Sequence, residues 1–186
     1  MKRLILLGAA LILCSWISQA QTTNWRGLDR SPLDMAFFPD NFAHDRRAGE
    51  SAVVRVIYSR PQKKNRDLFG SKVPYGKVWR TGANEATEIK FYKSVTIGGK
   101  KLKAGTYSLF TIPGEKEWTV IINSDLDYWG AYSYKAENDL LRTTVKSKKL
   151  EGAVEAFTIQ FEGDGGNKAV MKLAWDHTLV EVPISF

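Results

Sequence analysis

Between Arg80 and Thr87 the chain reads Arg-Thr-Gly-Ala-Asn-Glu-Ala-Thr, placing a guanidinium, an amide, a carboxylate and two hydroxyls within eight residues. Groups this close together can hold a small polar molecule. The planar fork of Arg80 matches a carboxylate, a phosphate or a pair of sugar hydroxyls. Asn84 can donate and accept at once. Glu85 accepts from hydroxyls or amines, and it serves as a general acid or base where its surroundings displace its pKa. Gly82 permits a tight backbone bend. Trp79 and Tyr75 just upstream offer flat apolar walls of the kind small-molecule sites use. An architectural role fits the same residues about equally well: Arg80 paired with Glu85 below the surface, and Asn84 completing a turn.

Two further segments could join this cluster in space. Tyr58-Ser59-Arg60-Pro61 ends a strand, because Pro61 lacks the N–H a ladder needs. It brings Tyr58 and Arg60 as candidate binding residues beside Arg80, Asn84, Glu85 and Trp79; the alternative is a strand terminus with a solvated arginine. Trp129-Gly130-Ala131-Tyr132-Ser133-Tyr134 is dense in aromatics off any strand rhythm. It reads as a wall or a platform for sugar rings, or as a loop folded onto the core. Metal and cofactor signals are weak. His44-Asp45 and Asp176-His177 are fragments without a third ligand. Asp125-x-Asp127 and the acidic turn near residue 164 lack EF-hand spacing. No G-x-S-x-G elbow is present. No cofactor and no metal are expected.

Strands must position these groups. From residue 51 onward apolar side chains recur with period two. Ala52, Val54, Val56 and Tyr58 share one face, as do Trp118, Val120 and Ile122; Phe157, Ile159 and Phe161; Met171, Leu173 and Trp175; and Val180, Val182 and Ile184. Such alternation means strands with one buried face. Gly98-Gly99, Pro113-Gly114 and the run Gly163 to Asn167 punctuate them. No long helical pattern intervenes, so the expected fold is all-β: an antiparallel β-sandwich, jelly-roll-like in one version, of about eight or nine strands. Asp125 to Asp139 breaks the rhythm and fits a helical turn and a loop. Residues 21–50 form an N-terminal arm whose Met35, Phe37, Phe38 and Phe42 imply packing on the body at 51–186.

Residues 1–20 read as an address. Lys2 and Arg3 precede an apolar run from Leu4 to Ile17, and Ser18-Gln19-Ala20 offers small residues where a signal peptidase reads. The expected chain is therefore exported, to the periplasm or beyond, after cleavage near Ala20. The run is shorter than the ~20 residues that span a bilayer, so no membrane anchor is expected after cleavage. Cleavage removes Cys14, the single cysteine of the 186 residues, and with it thiol catalysis and thiolate metal sites. It also removes two of the 27 basic side chains, lowering the net charge from +7 to +5. Export argues against nucleic acid as the partner of this basic surface. The lysines at 100–103 and 146–149 sit near turns, where they guard strand edges.

Together with Val73 to Thr87, the segments Tyr58 to Pro61, Gly105 to Gly114, Trp118 to Asn123 and Trp129 to Tyr134 resemble the domain-of-unknown-function family numbered 2911. The resemblance runs from about Ser31 to near the C-terminus. It implies an exported single domain and brings no activity, cofactor or catalytic residue with it. Three functional readings follow. The first is a module binding a small polar ligand or glycan through Arg80, Asn84, Glu85, Arg60, Tyr58 and Trp79. A second is a hydrolase using Glu85 as general acid or base, with Asp67, Glu88 or Asp127 as the second carboxylate. The third is an envelope structural or protein-interaction domain.

Overall fold

The computed structural model describes residues 24–163 and 166–186; the expected signal peptide, Cys14 and the middle of the Gly163–Asn167 turn lie outside them. The described chain is almost wholly antiparallel β-structure. Its strands are β1 (Leu33–Phe38), β2 (Val54–Ser59), β3 (Thr87–Phe91), β4 (Val95–Ile97), β5 (Lys100–Leu102), β6 (Gly105–Ile112), β7 (Glu117–Asn123), β8 (Asp139–Glu162) and β9 (Lys168–Ser185). A one-turn helix, Phe42–Asp45, follows β1, and a 3₁₀ turn, Ala136–Asn138, interrupts the Asp125–Asp139 segment where the sequence loses its alternation.

Hydrogen bonding runs in the order β1-β2-β3-β6-β7-β8-β9-β4-β5. Neighbours in sequence are neighbours in space except for the β4–β5 hairpin. That hairpin turns at Gly98-Gly99, both at positive φ, and docks on the end of β9. The long strand β8 makes the ribbon two-layered. Its first part pairs with β7 and its second with β9. From Arg142 to Ala156 none of its residues is buried. This is the stretch where the chain passes between layers, so the sequence shows no apolar period there although the strand continues.

Inner faces of both layers meet in one core. Val54, Val56, Ile89, Leu109, Val120 and Ile122 come from one side and Phe157, Ile159, Met171, Leu173, Val182 and Ile184 from the other. Along β9 the buried positions are odd-numbered from Ala169 to Trp175 and even-numbered from Val180 to Ile184. The switch spans the irregular pairing at Val154 and Asp176, where Asp176 has φ +52. Over this stretch β8 advances nine residues, Lys149 to Thr158, against four of β9, Thr178 to Ala174, and an odd slip exchanges the faces of a strand. Two runs that read as separate strands are thus one strand with a bulge.

The arm closes the body. β1 pairs along the length of β2, and Phe38 packs against Phe186 with ring centroids 5.7 Å apart. Arg60 fastens the layers where β2 ends: Nε donates to the Phe157 carbonyl (3.0 Å), one Nη to Asp34 (2.8 Å) and the other to the Thr158 hydroxyl (2.8 Å). Tyr58 does the same within the core, donating to the Ile159 carbonyl (3.1 Å) and accepting from the Ile159 N–H (3.0 Å).

At one end of the sandwich five rings assemble. Trp79 lies near-parallel to Trp175 at 6.0 Å and edge-on to Phe69, Trp118 and Phe157 at 5.1–6.1 Å. Its indole N–H donates to the Gly82 carbonyl at 3.1 Å. Deleting this ring opens a cavity and strands a buried acceptor, so Trp79→Ala should lower stability by about 3–5 kcal/mol. Urea unfolding followed by far-ultraviolet circular dichroism checks this; a loss below about 1 kcal/mol would mean that the ring bears no such load.

Candidate functional site

The segment after Trp79 folds into a closed loop. Trp79 pairs with Thr111 through two backbone hydrogen bonds, and the Thr87 N–H donates to the Arg80 carbonyl at 3.1 Å. Inside, the Thr81 hydroxyl meets that of Thr111 at 3.0 Å, and the Thr87 hydroxyl donates to the Thr81 carbonyl at 2.7 Å. These buried hydroxyls hold Thr81 at φ +55, a conformation a β-branched residue seldom adopts. Gly82 lies flat on the end of β2: a Cβ there would sit 3.1 Å from the Ser59 carbonyl oxygen. Its smallness serves this close approach, and the left-handed turn falls to Thr81 and Asn84 (φ +58).

A second loop, residues 124–138, meets the first edge to edge. Ala86 N–H donates to the Tyr128 carbonyl and Gly130 N–H to the Asn84 carbonyl, both at 2.9 Å, and Glu85 stands opposite Trp129 in this short antiparallel bridge. Opposed residues of such a bridge project on the same face with Cβ atoms about 5 Å apart. The Glu85 carboxylate therefore stands beside the Trp129 indole, which is 62% exposed. Among the described residues no hydrogen bond or ion pair engages the Glu85 side chain.

Two aspartates hold the second loop. Asp125 accepts from the Tyr128 hydroxyl and the Asn138 amide, both at 2.5 Å. Asp139 accepts from the Tyr134 hydroxyl (2.5 Å), Arg142 Nε (2.6 Å) and Asn123 Nδ2 (2.8 Å). Fully buried Asn123 also donates to the Lys135 carbonyl and accepts from the Asp125 N–H. The short bond to Tyr128 lowers the Asp125 pKa and lifts that phenol to about 12; burial first, then Asp139, lifts Tyr134 to about 12.

Between the loops, the arm and the ends of β2, β3 and β6 lies an open cleft of about 450 Å³. Asn84, Glu85 and Ala86 form one wall, and Leu126 to Trp129 another. Ile57, Tyr58 and Ser59 contribute from β2, Glu88 from β3 and Ser108 from β6. Arg26, Asp29, Ser31 and Leu33 close the arm side. Asp29 ties the arm on, accepting from the Asn84 amide at 3.0 Å and from the Ser31 N–H at 2.7 Å. The backbone N–H of Ser31, then the Asn84 amide, hold its carboxyl below the usual carboxylate range. Asp29, Glu85, Glu88 and Asp127 face one guanidinium, Arg26, so the cleft is acidic in a basic chain.

Of the residues singled out from sequence, Tyr58, Asn84, Glu85 and Trp129 converge on this cleft. Arg60 is occupied by its three bonds across the layers, and Trp79 is only 8% exposed, inside the core. Tyr75 lies over Gly70, away from the cleft. Arg80 and Glu85 form no ion pair, and Arg80 is not among the lining residues. Among the candidate second carboxylates, Glu88 and Asp127 line the cleft and Asp67 does not; Glu88 is bonded to Arg55 at 3.1 Å. The arm residues Arg26, Asp29 and Ser31 carried no periodic or motif signal. His44 bonds its neighbour Asp45, and His177 bonds the Leu150 carbonyl. Among the described residues no three His, Cys, Asp or Glu side chains gather as a metal site.

Alkaline titration tests the loop network. Tyr128 and Tyr134 should ionise near pH 12, well above the ordinary tyrosine value near 10. A phenol raised in the folded state stabilises the fold below its unfolded pKa, and this is lost as pH climbs from about 10 through 12. Asp125, depressed in the folded state, adds stability that is lost as pH falls through its folded pKa. In an ultraviolet tyrosinate titration Asp125→Asn should bring Tyr128 down and leave Tyr134 high. An unchanged curve would mean that Asp125 does not hold the loop through Tyr128.

Comparison with known proteins is brief. No curated protein and no solved structure matches the chain. No helix among the described residues is long and apolar enough to cross a membrane. Residues 41–184 match the family model described as "Protein of unknown function (DUF2911)", which leaves the arm side of the cleft upstream of the match. The body that carries both loops thus belongs to the DUF2911 family.

Proposed function

We propose that this chain is an exported binding module whose cleft takes a small polar ligand rich in hydroxyl or amine groups, with a glycan as the leading class. The observation that carries the reading is the unengaged Glu85 carboxylate beside the exposed Trp129 indole, on a bridge held rigid from both loops. A flat ring stacks on the apolar face of a sugar while a neighbouring carboxylate accepts from its hydroxyls. Asp127 and Glu88 add acceptors to the same wall. Four carboxylates against one arginine disfavour an anionic solute here and favour neutral polyols or amines. Because two loops and the arm are already fastened, little ordering entropy opposes binding.

A second reading is hydrolysis, with Glu85 as general acid or base. Its support is that Asp127 shares the cleft as a second carboxylate with no ion pair or hydrogen bond among the described residues.

The test is a thermal-shift panel of neutral glycans, amino sugars and polyamines on the chain from Gln21 onward. A true ligand at about 100 times its Kd should add about 2.7 kcal/mol to stability. Glu85→Gln and Trp129→Ala should fold as well as the parent, since both side chains are exposed, and should lose the response. Product release from a glycan, abolished by Glu85→Gln, would select the hydrolase. A panel with no response, or one that both variants keep, would overturn the cleft as a site.

A further inference from the structure

Three arginines are half-buried among the described residues: Arg55, Arg60 and Arg80. Arg55 pairs with Glu88, and Arg60 with Asp34 and two further acceptors. Arg80 has nothing. Its Nε is buried without a hydrogen-bond partner, and among the described residues no group accepts from the rest of its guanidinium. The two Nη nitrogens are neither buried nor bonded, so they reach solvent. Burial lowers its pKa, and the one charge influence acting on it is the Tyr132 phenol. An arginine remains cationic at neutral pH all the same.

A part-desolvated cation without a counter-charge is costly, and folds normally pair such groups or expose them. Here the chain pairs nothing with it, exposes only the Nη end and holds the residue firmly. The Arg80 carbonyl accepts from Thr87, and the next residue is locked at φ +55 by buried hydroxyls. Tyr132 is 86% exposed, and its ring crosses Gly130, where a Cβ would fall 2.7 Å from it. The Nη donors of Arg80 and the Tyr132 hydroxyl both face solvent. Neither lines the acidic cleft.

The geometry points to a second binding site at Arg80, separate from the cleft, that takes a small oxyanion through the arginine fork. Phosphate, sulfate and carboxylate share the required chemistry: two oxygens in one plane at the spacing of the guanidinium nitrogens. The anion supplies the missing counter-charge and accepts from the solvent-facing Nη nitrogens.

The experiment uses the ¹⁵N-labelled chain from Gln21 onward in a buffer free of oxyanions. Phosphate, sulfate and acetate are titrated separately at constant ionic strength while the arginine Nε–Hε resonances and, in every variant, the backbone amides of residues 80–87 are followed. The Arg80 resonance should shift and saturate as one site. A response to phosphate and sulfate without acetate assigns a tetrahedral anion, and a response to acetate assigns a carboxylate. Arg80→Lys keeps the charge but loses the fork, and should weaken binding about tenfold. Arg80→Gln should abolish binding yet keep or raise Tm in the anion-free buffer, because an unpaired buried charge is gone. Glu85→Gln should leave the anion response intact, which separates this site from the cleft. An Arg80 resonance unmoved by all three anions would overturn the proposal, as would equal responses in the parent and Arg80→Lys. Loss of the response in Glu85→Gln would overturn the claim of a separate site.

Discussion

The contact between the Trp79 indole and the far layer is the constraint on which the remaining architecture rests. The chain between β2 and β3 is long and has little regular structure of its own, and such a segment normally wanders over the surface. Here it carries the Trp79 ring into the core, against Trp175, Phe157, Trp118 and its own Phe69. Its indole N–H then fixes the carbonyl of Gly82, three residues on. Apolar burial thus supplies the free energy, and one hydrogen bond converts it into a defined loop geometry.

From that anchor the order spreads outward. A loop pinned at Gly82 can hold Thr81 and Asn84 in left-handed conformations, and these turn the Asn84 carbonyl and the Ala86 N–H toward the 124–138 loop. The second loop is fixed by Asp125, Asp139 and Asn123, whose polar atoms satisfy one another at the end of β7. Two irregular segments therefore behave as one short sheet at the sandwich rim. Backbone strain of this kind persists only where the surroundings over-determine it, and it concentrates where a surface is shaped for use.

Charge is sorted on the same scale. The chain is basic, with lysines along exposed strands and turns, while the cleft beside the Glu85–Trp129 bridge is lined by acids. Most charged pairs that bridge elements, such as Arg60 with Asp34 and Lys63 with Asp176, are consumed by the fold. What is left unconsumed is informative: a carboxylate at Glu85 and a guanidinium at Arg80, five residues apart in the chain and facing different surfaces. An ion pair between them would have closed the rim. Its absence leaves an acceptor and a cation that the described fold does not use.

Read alone, the residues already determine the all-β class, the buried face of most strands, the turns at Gly98-Gly99 and Pro113-Gly114, and the segments from which a site is built. These properties are local, because side-chain period and turn chemistry act over a few residues. The sequence does not show that β8 and β9 run unbroken, since an exposed crossing and a bulge both erase the period. Nor does it show which members of the Tyr58, Arg60, Trp79, Arg80, Asn84 and Glu85 set meet. That outcome depends on contacts between residues far apart in the chain: Arg60 finds Phe157, Trp79 finds Trp175, and Asn84 finds both Asp29 and Gly130. Tertiary structure decides the site because only packing brings those partners together, and each polar group is either used up or left free by what it meets there.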